Sequence, residues 1–230
     1  MAHWHNGDFM LIHRLKNQTS TLQKIIFGSL LLCSVVAFSS YYLWHKTDSD
    51  VVAQKAPDEI RGSVITLKTI KEEDYMTLYH MFSNDTRKGL EFPAVISFGY
   101  MIAYLRDMES RSKEHSGVVY AVWDNKDNLP VGTVEIRGHD PKDPGFQKQL
   151  GQLGCWLNEN YRGQGRIQEA IKLIAKAYFK QNPNETSFIG WARTWNQRSY
   201  NALKKAGLVD DTYIYHNGKP CYYQLKMYKS

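Results

Sequence analysis

Two arginines and two glycines at residues 162 to 166 form the stretch of this chain best suited to bind an anion. Arg162-Gly163-Gln164-Gly165-Arg166 follows a short apolar run and precedes a segment with helical spacing. Glycines spaced by one residue let the backbone turn sharply and approach a ligand closely. The first N–H groups of a helix have no acceptor within the helix and carry the positive end of its dipole. The sequence therefore predicts a phosphate site at this turn, with Arg162 and Arg166 adding charge suited to phosphate.

Other interpretations of this turn remain open at this point. An ordinary strand-to-helix connection with a glycine bend would have the same composition. The dinucleotide-binding fingerprint requires a third glycine, and the P-loop requires Gly-Lys-Ser/Thr, so the turn matches neither motif.

The elements on either side of the turn are a strand and an amphipathic helix. Leu153, Cys155, Trp156 and Leu157 form the apolar run, which Asn158-Glu159-Asn160 ends. After the turn, apolar residues recur at helical spacing, which predicts a helix with one face against a core: Ile167, Ala170, Ile171, Ile174 and Tyr178. A second helix is predicted from Asn196, a good N-cap, to Gly207, a typical stop.

Together, the two segments resemble motifs A and B of the GNAT superfamily of acyl-CoA-dependent N-acetyltransferases. The first resembles the pyrophosphate loop of that family, Arg/Gln-x-x-Gly-x-Gly/Ala. The second, 196–208, resembles its Asn-x-x-Ser/Ala…Lys-x-Gly-Phe helix. The branch that acetylates the N-termini of ribosomal proteins is the most similar, through Trp156, Glu169, Ala170 and Ser199. The resemblance extends over residues 64–228.

This resemblance implies an α/β fold with a mixed, mostly antiparallel twisted sheet and flanking helices. It also implies transfer of an acetyl group from acetyl-CoA to a primary amine, either a protein N-terminus or a small amine, by direct attack in a ternary complex. Backbone N–H groups of the central strand would stabilise the oxyanion, and Asn196 would hold the pantetheine arm. The implied acetyl-CoA-binding residues are Cys155, Trp156, Leu157, Arg162, Gly163, Gln164, Gly165, Arg166, Ile167 and Asn196.

The chain departs from the family pattern at three positions that bear on chemistry. Gln152 stands where many members carry a carboxylate on the central strand, and Leu203 stands where many carry a tyrosine general acid. Ile167 occupies the last small position of the pyrophosphate loop. These departures favour a rival hypothesis, a degraded domain that binds acyl-CoA or a protein partner without turnover. Another rival is an enzyme that acts on an amine of the cell envelope.

Replacement catalytic groups are available in the sequence. Glu135 lies on the predicted neighbouring strand, on the same face as Thr133 and Arg137, and is a candidate base. His139 follows at the end of that strand and is a second candidate base, while Ser199 could protonate the leaving thiolate. Their plainer interpretations are a solvated strand face for Glu135, an ordinary loop histidine for His139 and helix capping for Ser199. Cys155 lacks an adjacent histidine or cation and is interpreted as an apolar filler.

Composition excludes several functional classes. The net charge of +6 is mild, and no concentrated stripe of lysine and arginine indicates a nucleic-acid partner. Three cysteines, one of them in an apolar run near the N-terminus, do not form a disulfide framework. No metal site is predicted.

The N-terminal part predicts a membrane anchor. Residues 1–24 are polar, 25–45 read as a transmembrane helix, 46–62 as a linker and 63–230 as the GNAT-like domain. The stretch 25–44 has no charged residue and would span about 30 Å as a helix, the thickness of a hydrocarbon core. A cleaved signal peptide and a buried soluble helix are the alternatives. Flanking basic residues are nearly balanced, so the expectation of a cytosolic domain rests on acyl-CoA being mainly a cytosolic metabolite.

The remaining pattern predicts the elements that position the site. Helices are expected at 71–82 and 95–108, with a loop at 84–93 between them. Strands are expected at 64–67, 118–123, 131–136, 150–157 and 188–192, and a terminal hairpin is expected over 213–227.

Overall fold

The computed structural model of the chain describes residues 55–90, 92–93, 95–114, 117–138, 151–216 and 218–230, with the backbone alone at 111–114. These residues belong to the unit Ala53–Ser230. The predicted anchor at 25–44 and the candidate base His139 lie outside the described residues. Among the described helices, none has the length and apolar character needed to cross a bilayer.

In the described part of the chain, eight strands form one sheet whose spatial order is β1-β2-β3-β4-β5-β6-β8-β7. Neighbouring strands are antiparallel except for the pair β5 and β6, which is parallel. The mixed, mostly antiparallel sheet with flanking helices that the sequence predicts is therefore confirmed. The strands are β1 Glu59–Arg61, β2 Ile65–Lys68, β3 Val118–Asp124, β4 Leu129–Arg137, β5 Gly151–Leu157, β6 Ser187–Arg193, β7 Val209–His216 and β8 Lys219–Tyr228.

The described residues contain five α-helices: α1 Tyr75–Met81, α2 Asn84–Leu90, α3 Phe98–Glu114, α4 Arg166–Gln181 and α5 Gln197–Ala206. The predicted apolar stripe of α4 is buried against β2, β3 and β4, with Ala170, Ile171 and Ile174 inaccessible to solvent. On the opposite face, α1 and α3 pack over Val119 and Ala121 of β3. Burial of these two apolar clusters is the main stabilising contribution.

Several elements differ from the sequence prediction, most clearly α2, β1 and α3. Residues 84–90 form helix α2 where the sequence predicts a loop. The sequence does not reveal this helix because Thr86 is its one buried residue and no apolar periodicity marks it. Strand β1 lies inside the predicted linker, and as an edge strand with two exposed residues it carries little apolar signal. Helix α3 begins at Phe98 and continues to Glu114, past the predicted end at residue 108.

Strands β5 and β6 separate partway along their length. Their pairing covers Gly151–Leu153 with Phe188–Gly190 and then stops, whereas β5 stays paired with β4 from Gln152 to Leu157. Backbone groups of a strand alternate between its two neighbours. The end of β5 therefore has an edge, from Gly154 onward, that β6 does not cover.

Candidate active site at the divergence of β5 and β6

A cavity of about 400 Å³ lies at this divergence. Its walls come from α2, the end of β5, the glycine turn, the start of α4 and one side of α5. Eight of the predicted site residues line it: Cys155, Trp156, Leu157, Arg162, Gly163, Ile167, Asn196 and Ser199. The structure thus brings the two motif segments together around one opening, as the resemblance implies.

The glycine turn has an unusual backbone that presents the start of α4 to solvent. Gly163, Gln164 and Gly165 have φ angles of 88°, 51° and 79°, all in the left-handed region. Glycine adopts such angles without the penalty that a Cβ imposes, and Gln164 is one of two non-glycine residues with positive φ in the described part of the chain. A Cβ at Gly163 or Gly165 would meet nothing within 4 Å. The turn is therefore open to a ligand, and its glycines are needed for conformation rather than for space.

The acidic residue in the first turn of α4 is directed away from this opening. The carboxylate of Glu169 accepts hydrogen bonds from the backbone N–H groups of Ser63, Val64 and Ile65 at 2.7 to 3.1 Å, and from Ser63 Oγ at 2.7 Å. Burial acts to raise the pKa of Glu169, but these hydrogen bonds outweigh it and lower the pKa. Glu169 therefore fastens the turn before β2 to α4 and leaves the positive end of the helix free of a competing carboxylate.

Arg166 is occupied by a structural partner. Its Nε lies 2.6 Å from Oδ2 of Asp124, and the two side chains are 11% and 1% exposed. Its Nη1 donates to the Gln164 side-chain oxygen at 3.0 Å. Arg166, Gln164 and Gly165 are not among the residues that line the cavity. The Arg166 guanidinium fixes the glycine turn to the end of β3, because a buried cation requires a close anionic partner. Its role in binding a phosphate stays a prediction.

Arg162 connects the end of β5 to helix α2. Its Nε donates to the carbonyl oxygen of Leu157 at 3.1 Å, and its Nη2 donates to Thr86 Oγ1 at 2.8 Å. Its Nη1 contacts Asp85 Oδ2, which also lies 3.0 Å from Arg198 Nη2. Hydrogen bonds from Arg162 and then Arg198 lower the pKa of Asp85. One carboxylate therefore sits between two guanidinium groups at the cavity wall.

Helix α5 forms one side of the cavity and has the ends that the sequence predicts. Asn196 caps it, accepting a hydrogen bond from the Ser199 backbone N–H at 3.1 Å, and Gly207 ends it with φ of 109°. Both ends agree with the sequence prediction. Leu203 lines the cavity and is 3% exposed, so an apolar side chain stands where many family members carry a tyrosine.

Cys155, a predicted acetyl-CoA-binding residue, and Glu135, a candidate base, lie on different faces of the sheet. Cys155 lines the cavity, and burial, with the nearby Glu135 charge, raises the pKa of its thiol to about 12. A thiol so hard to ionise is a poor nucleophile, which agrees with the apolar-filler interpretation. Glu135 is 6% exposed, stands opposite Gly154 in the register, and its Oε1 lies 3.8 Å from Arg137 Nε. It is not among the residues that line the cavity.

Several cavity residues are absent from the sequence prediction. Arg198, Asn201, Ala202 and Lys205 recur at helical spacing along α5, so periodicity could have identified that face. Asp85 and Thr86 belong to a segment expected to be a loop, and no local signal connects them to the glycine turn. Over the described parts of the chain, no group of three or more histidine, cysteine or acidic side chains is arranged to hold a metal.

Comparison with known sequences gives one family match. The model of the acetyltransferase (GNAT) domain matches residues 65–209, which include both motif segments and the cavity between them. A search of curated proteins returns no match.

Solved structures share the fold at low identity. A microcin self-immunity acetyltransferase, MccE, solved with acetyl-CoA and AMP, is 15% identical with a TM-score of 0.61, over 78% of this chain and 100% of that one. RimL, a ribosomal-protein α-N-acetyltransferase solved with coenzyme A, is 15% identical with a TM-score of 0.59, over 75% and 97% of the two chains. A ribosomal-protein-alanine acetyltransferase from Vibrio fischeri is 19% identical with a TM-score of 0.56, over 74% and 96%. With the family match over residues 65–209, this chain belongs to the GNAT family of acetyltransferases.

Proposed function

We propose that this protein transfers an acetyl group from acetyl-CoA to a primary amine, by direct attack of the amine within a ternary complex. The observation that carries the proposal is the single cavity that joins the open end of β5 to the glycine turn before α4. A thioester placed at the divergence of β5 and β6 could have its phosphates at Gly163 and Gly165. MccE and RimL, which share the fold, were solved with acetyl-CoA and with coenzyme A.

The residues around the cavity suit the parts of such a substrate. The left-handed turn and the start of α4 offer N–H groups and a positive dipole to a pyrophosphate. Asn196, which lines the cavity, could hold an amide of the pantetheine arm in addition to capping α5. Ile167 also lines it, so the phosphates would have to be bound beside that side chain.

The reaction needs a place for charge to develop. The amine nitrogen would form a bond to the thioester carbon, and the resulting oxyanion would be stabilised by backbone N–H groups of β5 around Cys155 to Leu157, where pairing with β6 has ended. The carbon–sulfur bond would then break. The thiolate would take a proton relayed from solvent through the Ser199 hydroxyl, which lines the cavity, or leave as such.

The amine must also lose a proton. A lysine-like amine with a pKa of about 10.4 has its neutral form about 3.4 units away at pH 7, a cost of about 4.6 kcal/mol, whereas an α-amine with a pKa of about 7.7–8.0 costs about 1 kcal/mol. A positioned base typically contributes about 10²- to 10⁴-fold. Glu135 is our candidate, acting through a water chain, because it is buried opposite Gly154 on the strand beside β5. His139 remains a candidate from the sequence.

For the acceptor we favour a protein N-terminus over a small amine. The sequence similarity to the ribosomal-protein branch supports this choice, as do the fold similarities to RimL and to the Vibrio fischeri enzyme. An enzyme that modifies N-termini should acetylate a peptide at its α-amine and leave an internal lysine unchanged.

The test is a turnover assay with the full chain, kept in a mild detergent because of the apolar stretch at 25–44. Release of free coenzyme A thiol is followed with peptides that have a free N-terminus, a blocked N-terminus with an internal lysine, or neither amine. Thiol release with the first peptide alone, with intersecting initial-rate lines, supports the proposal. Parallel lines would indicate a covalent acetyl-enzyme, and no release with any amine would contradict transfer to amines.

We also propose that residues 25–44 anchor the protein in a membrane, with the acetyltransferase domain on the cytosolic side. The support is the uncharged 20-residue length and the aromatic residues Tyr41, Tyr42 and Trp44 at one end. Resistance to alkaline extraction from membranes, and its loss when two leucines of 30–32 are replaced by aspartate, would test the anchor. Protease protection of the domain in sealed cells would test its side, and extraction of the parent protein by alkali would contradict the anchor.

A further inference from the structure

The carboxylate of Asp85 occupies a position between Arg162 and Arg198 that suits a phosphate. Its Oδ2 contacts Arg162 Nη1 and lies 3.0 Å from Arg198 Nη2, and all three residues line the cavity. Guanidinium groups bind carboxylate and phosphate with the same donor geometry. Asp85 therefore marks a place where this protein already holds an anion next to the glycine turn.

The two arginines differ in how firmly they are held. Arg162 also donates to Leu157 O and Thr86 Oγ1, and its side chain is 20% exposed. Arg198 is 61% exposed, and within the described residues Asp85 is the partner that the structure shows for it. An exposed pair of this kind contributes little to stability, so Arg198 can exchange partners at small cost.

We propose that Arg198 binds a phosphate group of coenzyme A, and that Asp85 is an internal competitor which this phosphate displaces from Arg198. The inference rests on the proposed use of acetyl-CoA. A phosphate carries more negative charge and more acceptor oxygens than the single carboxylate, so the exchange favours the ligand. Lys205, two turns further along α5, also lines the cavity and adds positive charge to that wall.

Coenzyme A has two phosphate groups that could bind Arg198, the pyrophosphate and the 3′-phosphate. The open turn at Gly163 and Gly165 is the predicted pyrophosphate site, whereas Arg198 lies on a different helix that forms another wall of the cavity. Comparing coenzyme A with 3′-dephospho-coenzyme A separates the two sources. If Arg198 binds the 3′-phosphate, its contribution to the binding affinity disappears with the dephospho ligand. If it binds the pyrophosphate, its contribution to the affinity is the same with both ligands.

The experiment measures the dissociation constants of both ligands by calorimetry for the full chain and four variants. Arg198→Ala is matched by Lys176→Ala, which removes one positive charge from an exposed position of α4 that is not among the cavity-lining residues. Asp85→Asn is matched by Glu73→Gln, which removes one negative charge from an exposed surface pair. Unfolding midpoints of all variants check that each remains folded.

We expect Arg198→Ala to weaken coenzyme A binding by roughly 10- to 100-fold, the range for a lost charge-assisted hydrogen bond. We expect Asp85→Asn to strengthen it by about threefold, because a competing charge is removed, with a smaller gain at high salt. The control variants should change affinity by less than about twofold, as exposed charges distant from a ligand are screened.

Two results would overturn the inference while leaving the proposed function intact. The first is a loss for Arg198→Ala no larger than that for Lys176→Ala. The second is weaker binding by Asp85→Asn, which would mean that Asp85 positions the arginines for the ligand instead of competing with it. A parent protein that binds neither ligand would overturn the proposed function and this inference with it.

Discussion

Replacing Asp124 by asparagine tests whether a buried ion pair holds the glycine turn in place. Asp124 and Arg166 are 1% and 11% exposed, with 2.6 Å between Oδ2 and Nε. Removing one member of a buried pair leaves an uncompensated charge and costs about 3–5 kcal/mol. The asparagine oxygen can still accept the hydrogen bonds that Lys126 and Asp127 N–H now give to Oδ1 at 3.0 Å. We therefore expect the free energy of unfolding to fall by about 3 kcal/mol, near the lower end of that range.

The assay is urea unfolding followed by tryptophan fluorescence, in a double-mutant cycle of Asp124→Asn, Arg166→Met and both together. Arg166→Met leaves the aspartate unpaired and should also be strongly destabilising. The double variant contains neither charge, so its loss should be smaller than the sum of the two single losses.

The stability that ionised Asp124 contributes depends on pH, and the direction of this dependence follows from its pKa. Burial acts to raise the pKa of Asp124, but hydrogen bonds from Asp127 and Arg166 outweigh it and lower the pKa below the ordinary 3.8. A depressed carboxyl pKa contributes stability that is present above the unfolded value and is lost as the pH falls through the folded value. The difference between parent and Asp124→Asn should therefore shrink below about pH 3.8. A loss under about 0.5 kcal/mol, or strictly additive losses, would refute the anchoring role, since that is the size of an ordinary surface change.

Three further variants test other parts of the account. Gly165→Ala should destabilise the protein by about 1–2 kcal/mol through backbone strain alone, because φ is 79° and no atom lies within 4 Å of a Cβ there; urea midpoints measure this, and an unchanged midpoint would contradict it. Glu169→Gln should lower the free energy of unfolding by about 1.5–3 kcal/mol above pH 4.5. This difference from the parent should fade in acid as the pH falls through the lowered carboxyl pKa. A constant difference down to pH 2 would argue against a role of the Glu169 carboxylate in joining the turn before β2 to α4. Cys155→Ala should keep its turnover number within about threefold, because a thiol with a pKa raised to about 12 is not the nucleophile, whereas loss of thiol release would require a covalent step.

The elements that sequence predicts well are those with a strong local pattern. The apolar residues of α4 recur at helical spacing, and the structure buries Ala170, Ile171, Ile174 and Tyr178 as expected. Asn196 and Gly207 mark the ends of α5 because a side-chain cap and a left-handed glycine are local requirements. The glycines of the turn were identified for the same reason, since their positive φ angles need glycine.

The parts that sequence does not predict depend on residues far apart in the chain. The position of Arg166 predicts a phosphate ligand, and its local sequence does not reveal the ion pair with Asp124, 42 residues earlier. Asp85 and Arg198 are 113 residues apart and meet only because α2 and α5 border the same cavity. Such contacts are set by the packing of elements that are distant in the chain, and no spacing within a single segment reveals them.

The most direct test of the central claim is a calorimetric titration of the full chain with acetyl-CoA, beside the Gly165→Glu variant. The variant places a carboxylate and a strained backbone at the start of α4, where we expect the phosphates to bind. We predict binding by the parent and none by the variant at the same concentrations, with both proteins folded by circular dichroism. Equal binding by the two proteins would contradict a phosphate site at the turn, and absence of binding by the parent would contradict the use of acetyl-CoA.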